Sequence, residues 1–137
     1  MTPAWGRMAP LEPAECLRLL GSVKLGRVGL CGTAGPQILP VNHTLLDGNI
    51  VFRTELYSVL ADGTRDSIVA FEADELDDLM GSGWSVLVVG RAEHVEDPSE
   101  MADIFARMGQ PWAPGLRPLV ARIVPSQVSG RRFQHQA

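Results

Sequence analysis

The sequence predicts a mainly β fold, a small six-stranded barrel with two to three short helices that pairs with a second copy of itself. Three observations lead there. Strand-type runs fall at residues 24–31, 37–46, 49–54, 67–74, 84–96 and 118–124. They are parted by turn-forming clusters: Gly32-Thr33-Ala34-Gly35, Asp47-Gly48, Asp62-Gly63 and Gly81-Ser82-Gly83. Within Trp84-Ser85-Val86-Leu87-Val88-Val89-Gly90 both alternating faces are apolar, and Ile68-Val69-Ala70-Phe71 behaves the same way. A strand with one wet face should alternate, so these strands read as covered on both sides. Helix is too scarce to cover every outer face within one chain, which leaves a second subunit as the cover.

The elements follow in order. Residues 1–12 hold Pro3, Gly6 and Pro10 and read as a flexible N-terminal arm, ahead of a single domain over 13–133 and a tail over 134–137. Pro13 stands where a first helical turn tolerates proline; Cys16, Leu17 and Leu20 share one face, and Gly21 stops a helix over 13–20. Asp47-Gly48 between apolar runs signals a hairpin. A second helix begins at Asp97, where Asp97 and Glu100 have capping-box spacing around Pro98. Met101, Ile104, Phe105 and Met108 line one face of it, and Gly109 ends it.

Composition excludes several classes of function. At 137 residues, with 45% apolar and 20% charged side chains, the chain suits one globular domain with a real core. A net charge of −4 speaks against a nucleic-acid-binding surface. No apolar run approaches the roughly 20 residues of a membrane span, and the N-terminus lacks the apolar core of a secretory signal. The expected location is therefore the cytoplasm, with Cys16 and Cys31 as buried free thiols. His43, His94 and His135 stand too far apart for a metal site, and His94, between Glu93 and Glu96, reads as solvated. Neither a nucleophile elbow nor a dinucleotide fingerprint is present. The acidic run over 72–78 reads as a solvated strand end and turn.

What remains is Arg53-Thr54, followed by Ser58. A guanidinium presents a planar fork of donors that matches phosphate, and neighbouring hydroxyls add compact donors. A helical turn over 58–63 would aim its free N–H groups at the same place. The alternative is an ordinary surface ion pair between Arg53 and Glu55 or Glu72.

A family resemblance bears on that choice. Leu25-Gly26-Arg27-Val28-Gly29-Leu30, the run from Pro40 to Thr54, the run from Val69 to Asp77 and the run from Gly83 to Asp97 carry it. So do Pro111-Trp112-Ala113-Pro114-Gly115 and the run from Ala121 to Phe133. In order and spacing the chain resembles the short form of the pyridoxamine 5'-phosphate oxidase-like, FMN-binding split-barrel superfamily from about residue 14 to 133. The resemblance implies a Greek-key split barrel and a homodimer with FMN at the subunit interface. It assigns Pro40, Val41 and Asn42 to the isoalloxazine and ribityl chain, and Arg53, Thr54 and Ser58 to the phosphate. It also brings Trp84 and Ser85 toward the flavin, from the partner copy, and makes Trp112 an aromatic flanking the ring. One position departs: relatives carry a lysine after the serine matching Ser58, and this chain has Val59. Arg27, Arg65 and Arg91 are the candidate substitutes for that charge.

The expected function is an FMN-dependent oxidoreductase passing hydride or electrons between a reduced nicotinamide and a small acceptor. His43 is the one acid–base candidate; otherwise no side chain is required to act. The oxidase reaction itself is less expected, because the longer C-terminal part of that enzyme has no match. The alternative is a non-catalytic binding or sensing protein for flavin, a deazaflavin coenzyme or haem.

Overall fold

The structure is a computed structural model that describes residues 7–108 and 117–134. Along it run β1 (Arg7–Pro10), α1 (Pro13–Ser22), β2 (Leu25–Gly32), β3 (Gly35–Leu46) and β4 (Asn49–Thr54). They are followed by α2 (Val59–Gly63), β5 (Ser67–Asp77), β6 (Ser82–Val95), α3 (Pro98–Arg107) and β7 (Leu119–Gln134). The sheet order is β1-β7-β4-β3-β2-β5-β6, and an additional β6–β7 pairing closes six of the strands into a ring. Every pairing is antiparallel.

The six-stranded barrel is therefore present, with a seventh strand outside it. That strand corrects the reading of 1–12 as an arm: Arg7–Pro10 pairs with residues 131–134 of β7. β7 itself runs well past residue 124. Its length is hidden in sequence by Pro125 and a polar stretch, which sit at a bulge where the register with β6 shifts between Val89 and Gly90.

Alternation along the strands fills the barrel. Val28 and Leu30, Ile50 and Phe52, Val69 and Phe71, Val86 and Val88, and Ala121 and Ile123 all point inward and are buried. Each large side chain so buried contributes about 1.5–3 kcal/mol. Gly26 is part of this packing, because a Cβ there would stand 2.1 Å from the Phe71 ring. α1 buries Cys16, Leu19 and Leu20 against the same core.

α3 covers a second, smaller cluster on the outside of the ring. Ile104 and Met108 pack there on Val51, Val95 and Val120. The helix starts as its sequence requires, with the Asp97 carboxylate accepting the Glu100 N–H at 3.3 Å and proline in the first turn. Its far end is tied to the β3–β4 hairpin, where Arg107 forks onto Asp47 at 3.0 and 3.1 Å. Asp47 and Gly48 have φ of 54° and 81°, the two positive values a type I′ turn needs.

The second face of the two-faced apolar strands is open in the single chain. Leu87 is 45% exposed and Ile68 57% exposed, so within one chain only one face is covered. The strand register sets Ile38, Gly29, Ala70 and Val89 in one row across β3, β2, β5 and β6 on that open face. Cys31 is also exposed rather than buried; Cys16 is the buried thiol.

Candidate functional site

β4 ends at Thr54, whose side chain is buried and points to the inside of the ring. Tyr57, at φ 59°, turns the chain, and Ser58 becomes the N-cap of α2. The Ser58 hydroxyl accepts the Ala61 N–H at 3.0 Å and donates to the Glu55 carbonyl at 2.8 Å. It also stands 3.2 Å from Thr54 Oγ1. Two hydroxyls and a helical first turn are thus brought together at one strand end.

Arg53, one residue earlier, leaves from the opposite face. Its Nε–H donates to the Arg117 carbonyl at 3.0 Å, and its guanidinium carbon sits 4.3 Å from the centre of the Phe105 ring. Among the described residues Arg53 forms no ion pair with Glu55 or Glu72, and Glu72 is engaged by Arg27 at 2.8 Å. Among the described residues the terminal nitrogens of Arg53 have no hydrogen-bond partner.

β3 runs beside this strand end. The β3–β4 ladder stops at His43 opposite Phe52, so Asn42 on β3 and Arg53 on β4 are the first residues beyond the last pair. Asn42 Oδ1 is buried without a hydrogen-bond partner among the described residues, and so is Nε of Arg117. Pro40 is exposed and Val41 buried. In one chain Thr54 and Ser58 meet, Arg53 precedes them on β4, and Pro40, Val41 and Asn42 lie on neighbouring β3 beyond the last β3–β4 pair.

The same chain does not bring Trp84 and Ser85 there. Arg53 is opposite Val120, Val120 is opposite Val95, and Trp84 lies at the other end of β6 beside Arg132. At about 3.3 Å per residue the path from Val95 to Trp84 is on the order of 35 Å. Trp84 is buried and borders a cavity of about 250 Å³ lined also by Glu75, Asp77, Arg132 and Phe133. Trp112 lies outside the described residues.

His43 belongs to the core. Its ring is 4% exposed, meets Phe71 edge-on at 4.8 Å, and places Nε2 2.9 Å from the Leu20 carbonyl. A carbonyl only accepts, so Nε2 carries the proton and ties the end of α1 to β3. Burial pushes its pKa down, which keeps the ring neutral.

His94 is not solvated as its neighbours suggested. It is half-buried, with Nε2 2.9 Å from the Ala61 carbonyl and 3.2 Å from Thr64 Oγ1. Sequence reasoning missed three residues here: Arg117, His94 and Thr64. Arg117 meets Arg53 through a backbone oxygen, which no side-chain pattern encodes. His94 and Thr64 are far apart in sequence and belong to no motif.

Most of the acidic run over 72–78 is exposed, as expected, but Glu72 is half-buried and differs. Desolvation and the neighbouring Asp74 carboxylate raise its pKa to about 7, against the opposing pull of Arg27.

A closed six-stranded antiparallel ring with a further strand at its edge defines a split-barrel protein. The chain belongs to the pyridoxamine 5'-phosphate oxidase family, whose model matches residues 12–132. A Corynebacterium glutamicum protein provisionally named pyridoxamine 5'-phosphate oxidase is 34% identical with a TM-score of 0.81, covering 100% of this chain and 99% of its own. The FAD binding protein from Mycobacterium smegmatis is 33% identical with a TM-score of 0.78, covering 92% and 99%. An uncharacterized Mycobacterium tuberculosis protein is 38% identical over 146 residues, covering 97% of this chain and 95% of its own.

Proposed function

We propose that the chain binds FMN with its phosphate at the end of β4 and, as a homodimer, works as a flavin-dependent oxidoreductase. The observation that carries this reading is the Thr54–Ser58 hydroxyl pair at 3.2 Å at the strand end that also carries Arg53, at the positions the family resemblance gives to the phosphate. The fit extends to the ring end. Asn42 Oδ1 is a buried acceptor without a donor, and a flavin offers N–H and hydroxyl donors. The M. smegmatis relative, an FAD binding protein, supports a flavin and makes FAD an arm of the test.

When bound, the flavin supplies the hydride or electron chemistry between a reduced nicotinamide and a small acceptor. The chain's own part is to bind and orient. Arg53 and the hydroxyls hold the anion, while Asn42 receives a donor. Trp84 and Ser85 of a second copy complete the pocket, since those of the same chain lie at the wrong end of β6. The open apolar face with Ile68 and Leu87 is the surface on which that copy packs.

A second reading is a non-catalytic carrier or sensor, for flavin, deazaflavin or haem. Val59 favours it: the first turn of α2 offers an uncharged, 52% exposed side chain where the family resemblance implies a lysine. One experiment separates the readings. Spectral titration with FMN, FAD, riboflavin, a deazaflavin and haem comes first, then reduced-nicotinamide oxidation with whichever binds. FMN binding with turnover supports the enzyme, binding without turnover the carrier. Failure of every flavin to bind overturns the proposal.

A further inference from the structure

α2 has five residues, and isolated helices shorter than about 12–15 residues are marginal in water. Its conformation must be imposed by neighbours. On one side Ser58 accepts the Ala61 N–H at 3.0 Å. On the other, buried Thr64 returns its backbone N–H to the Leu60 carbonyl at 3.1 Å and its hydroxyl proton to the same oxygen at 2.5 Å.

His94 reaches across from β6. Its Nε2 faces the Ala61 carbonyl and Thr64 Oγ1 at 2.9 and 3.2 Å. The carbonyl can only accept, and the Thr64 proton is already directed to Leu60. Both contacts therefore require the same thing, a proton on Nε2, and that assigns the tautomer. Ala61 is consequently held at both ends of one residue: its N–H by Ser58 and its carbonyl by His94. A continuous path of polar contacts runs from His94 through Ala61 and Ser58 to Thr54.

We infer that His94 is a positioning residue for the anion end of the cofactor site, acting through Ala61 on the Ser58 hydroxyl. The inference rests on the phosphate reading above. His94 itself touches no cofactor in this arrangement. Its role is to keep the α2 turn in the one geometry that aims Ser58 beside Thr54. Removing the imidazole takes away the shorter of the two contacts to the Ala61 carbonyl, leaving only the Thr64 hydroxyl at 3.5 Å, and lets the turn open. A ligand without a phosphate has nothing to lose there.

The test uses His94→Ala and His94→Gln in the full chain, the glutamine amide being able to donate where Nε2–H did. FMN and riboflavin affinities are measured for each, with hydrogen exchange at the Ala61 amide in ligand-free protein. His94→Ala is expected to weaken FMN about tenfold, the loss of one hydrogen bond, and to leave riboflavin within about twofold of wild type on the same basis. The Ala61 amide should exchange faster while the β6–β7 ladder keeps its protection, and His94→Gln should restore most of both. Parallel loss of FMN and riboflavin would show a general structural role and overturn the inference. So would unchanged FMN affinity. If wild type binds no flavin, the cofactor proposal has failed; the positioning of α2 by His94 then stands or falls on the Ala61 exchange rate alone.

Discussion

The Nε–H of Arg53 donates to the carbonyl oxygen of Arg117 at 3.0 Å, so one guanidinium bridges the end of β4 and the residues leading into β7. The same group lies on the Phe105 ring of α3. Two contacts thus hold one cation in place, and preorganisation of this kind lowers the ordering cost of binding.

Arg53→Ala is expected to weaken FMN by about 10- to 100-fold, the equivalent of roughly 1.5–3 kcal/mol for a charge-assisted hydrogen bond. Riboflavin should change much less. Calorimetric titration of both ligands decides it, and equal losses would assign Arg53 to the packing of α3 on β7 instead.

Val59→Lys should strengthen FMN by about 1–2 kcal/mol at low ionic strength, the lower part of the range for a charged contact. The side chain is exposed, so a lysine stem fits without repacking. The gain should shrink as salt rises, because an exposed charge is screened. Titration at two salt concentrations checks both statements. No gain in a folded variant would move the phosphate away from α2.

Sedimentation equilibrium is expected to give about twice the chain mass of 14.8 kDa at micromolar concentration. Leu87→Arg, on the open face, should shift the distribution toward monomer and weaken flavin binding with it. A wild-type monomer with native circular dichroism would sink the shared-site model.

Glu72 gives a pH prediction. Its folded pKa of about 7 lies above the ordinary carboxyl value of 4.5, so the folded state binds the proton more tightly than the unfolded one. Stability from this group is therefore fully present below pH 4.5 and is lost as pH rises through about 7. Glu72→Gln should remove that slope, raising the melting temperature relative to wild type at pH 8 and changing it little at pH 4.5. Melting curves across this range test it; identical slopes in the two proteins would refute the assignment to Glu72.

The ring of six strands was legible because its signals are local. Asp47-Gly48 dictates a hairpin whatever surrounds it, and Val86 and Val88 alternate inward. Asp97 before Pro98 and Glu100 likewise announces α3. What stayed hidden depends on partners distant in sequence. Arg7–Pro10 becomes a strand only because residues 131–134 offer an edge. The two-faced apolar strands encode a surface that needs covering, but not what covers it. Of the candidate site, Thr54 and Ser58 do meet, since four residues of chain connect them. His94 was misread, and the packing of His43 stayed hidden, for one reason. Their partners are backbone carbonyls, of Leu20 and Ala61, and carbonyls leave no mark in a sequence.

The seam at β7 has a consequence for how the molecule is made. β7 is the last strand of the ring in chain order, yet it pairs with both β4 and β6. Ile50 finds Ile123, and Trp84 finds Arg132, only after most of the chain has been laid down. Closing such long loops is slow relative to forming hairpins. Until β7 docks, β4 and β6 present two open edges of apolar strands, the form of sheet most prone to pair with a neighbouring molecule. Refolding yield should therefore fall with rising protein concentration, and substitutions that weaken β7 should lower the yield of native protein before they alter the finished barrel.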